Sequence, residues 1–320
     1  MNTLPKHPST AAHSLLAVLS VITAGNLGHA NDLLAPAAER EGDAAVVWNA
    51  KLTCGTTEQG VTRFGMWEGK MYTRIPGERD RHIFDVVGIN TRQCERHSDP
   101  SRGEGYRSVS REIMVYLDPA TGEIIDQWKN PWTGETVEVI HVANDPVNMR
   151  LPSFARNAEG KPARASLRHY GDLLVSSSEV PLFYENPLAG AYQDYIGGKY
   201  HAMEIFNTFY SAADFLTPKG PRIGLSRISW QRVSGLLPWM RMGDRPGVII
   251  FNATGFSTFD RAQISPRLMQ ILQSRYPAYL SPPPLGDTRP NATTWTVTKD
   301  WIDAKRAAQA GAEARKGAAQ

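Results

Sequence analysis

The 320-residue chain is 41% hydrophobic, which is ample for a buried core in one large domain or two small ones. Its 35 basic and 32 acidic residues give a formal net charge of only +3, and several of the basic residues lie in the tail after Lys299. A mixed surface of this kind does not form a basic groove, so nucleic acid is not an expected partner.

The first 30 residues have the pattern of an export signal. Lys6 and His7 form a weakly basic start, residues 15–22 are apolar, and Gly28-His29-Ala30 offers small residues for cleavage. We expect cleavage after Ala30 and a mature protein in the periplasm or outside the cell. The apolar run is too short to span a bilayer, so no stable membrane insertion is expected after cleavage. The alternative is an uncleaved anchor helix.

The first third of the mature chain predicts one helix and then strands. Residues 31–53 are rich in alanine and acidic residues and predict a helix. A hairpin is predicted over residues 64–75, with its turn at Glu68-Gly69-Lys70, and a strand over residues 83–90. The charged segment 92–111 has few apolar residues, so we expect a mobile surface loop there.

The chain has two cysteines, Cys54 and Cys94, and both lie in the exported part. In an oxidising compartment they can form a disulfide, which would close a loop of about 40 residues and contribute roughly 3 to 4 kcal/mol. Two unpaired buried thiols are the alternative.

A three-stranded antiparallel meander is predicted over residues 111–148. Its runs cover residues 112–117, 123–128 and 136–143. Two turns separate them, Asp118–Gly122 and Asn130–Gly134, each containing a proline and ending in a glycine.

The second half of the chain predicts further strands and a clear helix. Extended runs cover residues 165–176, 200–215, 223–233 and 247–254. In the second of these runs, one face carries Glu204, Phe206, Thr208 and Tyr210, and the other carries Met203, Ile205, Asn207 and Phe209. Residues 264–275 have helical apolar spacing and a proline suited to a first helical turn.

Turns every eight to twelve residues are typical of barrels and sandwiches. The predicted fold class is mainly β: an antiparallel β-barrel or a strongly curved sheet of the lipocalin kind, with an N-terminal helix and one or two C-terminal helices. Residues 31–303 are expected to form a single domain. Residues 304–320, rich in Ala, Gln and Lys, are expected to be a frayed helix or disordered.

Two stretches of the sequence carry a resemblance to a known family. The first comprises Trp128, Asn130-Pro131-Trp132-Thr133-Gly134, Val139, His141-Val142 and Asn144-Asp145-Pro146-Val147. The second comprises Leu237-Pro238-Trp239-Met240, Met242-Gly243, Pro246-Gly247 and Tyr276-Pro277. The chain resembles the domain of unknown function 1838 family from about Trp48 to about Trp301. The resemblance implies very little about chemistry.

Several common catalytic motifs are absent from the sequence. It has no Gly-x-Gly-x-x-Gly after a strand, no Gly-x-x-x-x-Gly-Lys, no Gly-x-Ser-x-Gly, no Cys-x-x-Cys and no His-Glu-x-x-His. We therefore expect no organic cofactor and no thiolate zinc site. A metal held by distant His and carboxylate residues stays open.

His141 is the best-placed candidate catalytic residue. Alternation puts it on the same face as Val137 and Val139, the face expected to point into a barrel, where an imidazole could accept or donate a proton near neutral pH. Asp145 could orient it or act as a base, and Asn144 lies beside both. The alternatives are a core histidine bonded to Asn144 or to backbone, and ordinary turn chemistry for Asn144-Asp145-Pro146.

Aromatic side chains are the second signal. They could line a cavity for a flat or lipophilic ligand, although most must belong to the core. The segment Leu237–Asp244 is apolar within a predicted loop and is the candidate lid, with Arg241 as its one cation. Arg241 could pair with a ligand anion or only with Asp244. The predicted substrate-binding residues are Tyr116, Trp128, Trp132, Tyr210, Trp239 and Arg241.

These features predict an exported, cofactor-independent enzyme that uses His141 and a carboxylate for proton transfer. Its substrate would be a small apolar compound, such as an aromatic or isoprenoid molecule, in a barrel cavity, and its reaction that of a lyase, isomerase or hydrolase. The alternative is a lipocalin-like carrier of a lipophilic molecule. A surface interaction protein with a solid interior is a third hypothesis.

Overall fold

The computed structural model describes residues 37–185, 188, 199–243 and 245–318. The predicted signal peptide and its cut after Ala30 lie outside these residues. The described strands are β1 (Ala37–Glu41), β2 (Arg63–Arg74), β3 (Arg81–Asp99), β4 (Gly103–Leu117), β5 (Gln127–Lys129), β6 (Thr136–Glu138), β7 (Val142–Asn144), β8 (Ser153–Phe154), β9 (Arg164–Tyr170), β10 (Leu173–Glu185), β11 (Lys199–Ser211), β12 (Ser226–Gly235) and β13 (Val248–Thr258). The described α-helices are α1 (Gly42–Cys54), α2 (Ala213–Leu216), α3 (Pro266–Arg275) and α4 (Thr294–Ala318).

Eleven of these strands form one antiparallel sheet, in the order β1-β9-β10-β11-β12-β13-β2-β3-β4-β7, with β8 also paired to β4. The strands β5 and β6 form a separate pair. The predicted fold class is confirmed: the chain is mainly β, with a helix near its start and helices at its end. Of the two architectures predicted, the curved sheet is correct, because the sheet does not close into a barrel.

Helices bridge the two ends of the curved sheet. Helix α1 packs on β1 and β9 at one end and on β3 and β4 at the other. At the opposite side, α4 packs against β7, and its Trp295 ring lies 4.7 Å from the ring of Tyr200 on β11. The sheet is therefore curled around an inner face that α1 and α4 partly enclose.

Alternation along the strands decides which side chains reach this inner face. On β11, Tyr200, Glu204 and Tyr210 face inward, while Met203 and Phe209 face outward and are 36% and 37% exposed. The predicted alternation of this strand is thus confirmed. The outer face of β2, β3 and β4 is covered by α3, which packs its leucines against their apolar side chains.

The disulfide alternative is correct for the two cysteines. Cys54 at the end of α1 is bonded to Cys94 on β3, with a Cα–Cα distance of 6.0 Å. Both residues are almost fully buried, and no free cysteine lies among the described residues. The bond holds α1 across the end of the curled sheet.

The segment 92–111 is not a loop, as was predicted, but the ends of β3 and β4, which pair without interruption from Asp85 and Leu117 to Asp99 and Gly103. Its polar residues satisfy one another across the strands. Glu95, for example, pairs with Arg107 directly opposite. Hydrophobicity alone misses such a hairpin because the cross-strand partners are charged.

The predicted hairpin over residues 64–75 is also wrong, because β2 runs straight through its proposed turn. A side chain on Gly69 would lie 2.3 Å from the carbonyl oxygen of Asn252 on β13. The glycine therefore allows a close approach of two strands and does not mark a reversal.

Other local predictions are correct in part. The N-terminal helix begins at Gly42, after the short strand β1. The first run of the predicted meander is the end of β4, whereas its second and third runs are reduced to the short strands β5, β6 and β7. The predicted helix near residue 264 is confirmed as α3, whose Ser265 side chain accepts a hydrogen bond from the backbone N–H of Leu268. Residues 304–318 of the tail form part of α4. Over the described residues, no helix has both the length and the apolar character that a membrane span requires.

Candidate functional site

Four of the predicted substrate-binding aromatics lie together at one end of the inner face. The ring of Trp239 is 5.4 Å from that of Tyr116 and 6.1 Å from that of Trp128, which is itself 6.1 Å from Trp132. Phe84 packs among them. Trp239 and Tyr116 are each only 1% exposed. We call these five residues the aromatic plug, because they close this end of the curl as packed core.

Asn130 joins the two stretches of sequence that carry the family resemblance. Its side chain is fully buried and donates to the carbonyl oxygen of Met240 at 2.7 Å. Its amide oxygen accepts hydrogen bonds from the backbone N–H groups of Trp132 and Thr133 at 2.8 and 3.3 Å. The two stretches therefore build one structural unit around the aromatic plug.

His141 lies at the edge of the sheet, on the side covered by α3. Its Nδ1 accepts a hydrogen bond from the backbone N–H of Tyr116 at 3.2 Å, and its ring stacks on that of Tyr116. The ring of Tyr276, just after α3, meets it edge-on at 6.4 Å. The carboxylate of Asp126 is 3.8 Å from Nε2 and also pairs with Arg275 of α3.

Strand β6 ends at Glu138, so the alternation from which His141 was predicted to point inward does not continue to residue 141. The imidazole lies between the ring of Tyr116 in the plug and the ring of Tyr276 after α3. Burial, and to a smaller extent the positive charge of Arg275, lower the pKa of His141 to about 4, against the opposing effect of Asp126. The imidazole is therefore neutral near pH 7, with Nδ1 as acceptor and the proton on Nε2.

The other two predicted catalytic residues, Asn144 and Asp145, form a hydrogen bond and ion pairs with residues other than His141. Asn144 is buried and donates to Glu112 at 2.8 Å. Asp145 pairs with Arg289 at 2.9 Å and with Arg111 at 3.3 Å. The prediction that Asp145 orients His141 is thus wrong, and the carboxylate beside the imidazole is that of Asp126.

Two predicted substrate-binding residues lie apart from the plug. Tyr210 is buried at the opposite end of the inner face, beneath α1, with its ring 5.3 Å from Phe215. Arg241 is exposed, has a positive φ of 52°, and lies 4.0 Å from Glu135. Its other predicted partner, Asp244, lies outside the described residues. The segment 237–242, part of the candidate lid, is mostly buried against the plug and is therefore packed core.

Between the plug and α1, the inner face carries polar residues. Glu204 of β11 and Arg232 of β12 are cross-strand neighbours and pair at 3.1 Å. Arg232 also donates to the hydroxyl of Tyr200. The side chains of Glu204 and Arg232 are 19% and 21% exposed, although both point inward. This exposure shows that the inner face leaves free space beside them.

Further polar residues come from the other side of the curl. Glu112 of β4 accepts the hydrogen bond from Asn144, and Arg92 of β3 donates to Asn90 at 2.8 Å and to the carbonyl oxygen of Thr53 on α1 at 3.1 Å. We call Glu112, Glu204, Arg92, Arg232 and Tyr200 the inner polar site.

The two carboxylates of this site influence each other electrostatically. Burial raises the pKa of Glu204, Arg232 opposes that shift, and the negative charge of Glu112 raises the pKa further. Four strands separate β4 from β11 along the sheet, so only the curl brings Glu112 within electrostatic reach of Glu204. A buried carboxylate with a second carboxylate in reach is suited to holding and transferring a proton at neutral pH.

Several buried polar atoms on the inner face have no hydrogen-bond partner among the described residues. They are the donors Arg63 Nη1, Trp67 Nε1, Trp230 Nε1 and Arg232 Nε, and the acceptor Asn144 Oδ1. Leaving a buried donor unpaired costs roughly 1 to 3 kcal/mol, so such atoms are normally satisfied by water or by a ligand.

Sequence reasoning missed the inner polar site, although a signal for it was present. Glu204 alternates with aromatic residues on one face of a strand, and Arg232 does the same on the next strand. A charged side chain on a face that is otherwise buried indicates either a paired core ion or a functional group. Their pairing, and the approach of Glu112, depend on register and curvature.

The family model for a protein of unknown function (DUF1838) matches residues 60–301, which include both signature stretches and the inner polar site. The chain belongs to the DUF1838 family. The sequence matches no curated protein. Among the described residues, no three His, Cys, Asp or Glu side chains are grouped so as to hold a metal ion.

Proposed function

We propose that this DUF1838 protein is an enzyme that binds a small molecule on the inner face of the curled sheet and transfers a proton through Glu204. The observation that carries the proposal is a buried carboxylate of raised pKa that still has free space beside it. A carboxylate with these properties can act as general acid or base near neutral pH. Lyase, isomerase and hydrolase reactions all use this step.

The neighbours of Glu204 support this role. Arg232 fixes the position of the carboxylate and is itself bonded to Tyr200, and the negative charge of Glu112 favours the protonated form of Glu204. Phe206 and Trp230, directly opposite each other on β11 and β12, add apolar walls with ring planes inclined by 21°. Such walls suit an apolar or aromatic group on the substrate.

The contacts of His141 favour a structural role for that residue. Its Nδ1 is occupied by a backbone N–H, and its low pKa makes it a weak base at pH 7. His141→Asn keeps an acceptor in this place and should retain turnover. Loss of turnover in a folded His141→Asn protein would return the catalytic role to His141.

A carrier function is the second candidate. The aromatic walls and the unpaired indole N–H groups of Trp67 and Trp230 require only that a ligand binds. In that case a co-purified molecule would be recovered unchanged, and Glu204 would affect affinity alone.

The test compares Glu204→Gln with Glu179→Gln, the same change on the outer face of β10. Each purified protein is incubated with a small-molecule extract of the source cells, and the extract is followed by mass spectrometry. Wild type and Glu179→Gln should consume the same compound, whereas Glu204→Gln should bind it, as seen by native mass spectrometry, and leave it intact. Equal consumption by Glu204→Gln would remove Glu204 from the mechanism. Binding without consumption by wild type would identify a carrier.

We also propose that the protein is exported. The disulfide between Cys54 and Cys94 supports this, because such bonds persist in oxidising compartments. N-terminal sequencing of the mature protein from the periplasmic or secreted fraction should begin at Asn31. A chain that begins at Met1 in the cytosolic fraction would contradict it.

A further inference from the structure

The charges on the inner face do not balance among the described residues. The inward-facing residues of β2, β3, β4, β11 and β12 supply three guanidinium groups, from Arg63, Arg92 and Arg232. They supply two carboxylates, Glu112 and Glu204. The inner face therefore has an excess of positive charge even when both carboxylates are ionised.

Within the part of the chain that the structure describes, one of these guanidinium groups forms a direct ion pair with a carboxylate. Arg232 pairs with Glu204. Arg92 is held by neutral oxygens of Asn90 and Thr53, and Arg63 by the hydroxyl of Ser226 at 2.9 Å. Burial lowers the pKa of both Arg63 and Arg92, and the positive charge of Arg92 lowers that of Arg63 further. Asp214 opposes these effects at Arg63, and Glu112 opposes the effect of burial at Arg92. An added anion would relieve this repulsion.

The buried polar atoms without a hydrogen-bond partner are also unbalanced, with more donors than acceptors. Among the described residues, the part of the inner face between the plug and α1 has four buried donors without a partner, on Arg63, Trp67, Trp230 and Arg232, and one such acceptor, on Asn144. Trp230 and Arg232 lie two residues apart on the same face of β12, so their free N–H groups are neighbours on one strand. A ligand that satisfies them must bring acceptor oxygens.

We propose that the molecule bound on the inner face is an organic acid, whose carboxylate is held at Arg232 and Trp230 while its apolar part lies against the aromatic walls. This inference rests on the proposed binding function and specifies its ligand class. The carboxylate of an acid can accept from the unpaired N–H groups of Arg232 and Trp230 in charge-assisted hydrogen bonds, whereas a neutral alcohol offers only one weaker acceptor. The acid also places its charged end beside Glu204, the proposed proton-transfer group.

The test uses two matched pairs of probes: 2-naphthoate with 2-naphthylmethanol, and decanoate with 1-decanol. Affinities are measured by calorimetry at pH 7.5. For the wild-type protein, each acid should bind at least tenfold more tightly than its alcohol. Arg232→Gln should reduce this preference to about twofold or less, while Arg227→Gln, an exposed change on the outer face of β12, should leave it intact.

Trp230→Phe provides a second test that keeps a ring against Phe206 and Phe251 but removes the N–H group. It should weaken binding of both acids about fivefold and leave the alcohols unchanged, even if Arg232→Gln fails to fold. Equal binding of acid and alcohol by wild type would overturn the acid assignment and leave the inner-face binding function standing. Failure of all four probes to bind would overturn both.

Discussion

The His141→Asn variant should lose much less stability at acidic pH than the wild-type protein. His141 is 8% exposed, and its Nδ1 accepts from a backbone N–H that an imidazolium cannot satisfy. Its pKa is about 4 in the folded protein, against an ordinary value of 6.5. An asparagine oxygen can take the place of Nδ1, so the variant should keep this hydrogen bond without a titrating group.

The sign and size follow from linkage. Because the pKa is lowered by folding, the unfolded chain binds a proton before the folded protein does as the pH falls. The stabilisation is present in full above pH 6.5 and is lost between pH 6.5 and pH 4. The difference between the two pKa values corresponds to roughly 3 kcal/mol, since one pH unit is worth about 1.4 kcal/mol.

The assay is urea unfolding at a series of pH values from 4.5 to 7.5. Wild type should lose roughly 2 to 3 kcal/mol more than His141→Asn over this range. His201→Asn, a change at an exposed position of β11, should follow wild type. If His141→Asn loses stability as steeply as wild type, the imidazole is not held neutral by the backbone of Tyr116 and the structural role assigned to it fails.

Three further outcomes are expected from the fold. Asn130→Ala should cost about 3 kcal/mol in urea unfolding, because it leaves a buried carbonyl unpaired. Asn157→Ala, in an exposed turn where the side chain also accepts from two backbone N–H groups, should cost about 1 kcal/mol or less, and equal costs would contradict the linking role of Asn130. Replacing Cys54 and Cys94 together by alanine should lower the free energy of unfolding by about 4 kcal/mol, and an unchanged free energy of unfolding would contradict this. Gly88→Ala should lower the free energy of unfolding by roughly 2 kcal/mol or more and alter the near-ultraviolet circular dichroism, because a Cβ would lie 2.4 Å from the ring of Trp67. An unchanged spectrum and stability would contradict that packing.

Local patterns in the sequence were sufficient for much of the secondary structure. Two-residue alternation on β11 and helical spacing on α3 both depend on near neighbours in the chain, so they are visible without the fold. The pattern failed at residues 92–111 and 64–75. Residues 92–111 have the composition of a loop because their charged residues pair across two strands. Gly69 has the pattern of a turn, although it is needed for the close approach of two strands.

The candidate site was predictable only as a list of residue types. The aromatic residues of both signature stretches do come together, but as a packed plug, and the imidazole at position 141 lies between that plug and the ring of Tyr276 after α3. Their burial depends on how neighbouring elements cover them, which side-chain spacing does not encode.

The sequence by itself determined the family, the mainly β character, the inward and outward faces of β11 and the two cysteines that can pair. Only the tertiary structure decided which polar groups influence one another, because Glu112 acts on Glu204 through the curl of the sheet and not through adjacent strands. Alternation states which side of a strand a residue occupies, whereas curvature, register and the bridging helices α1 and α4 decide what lies opposite it.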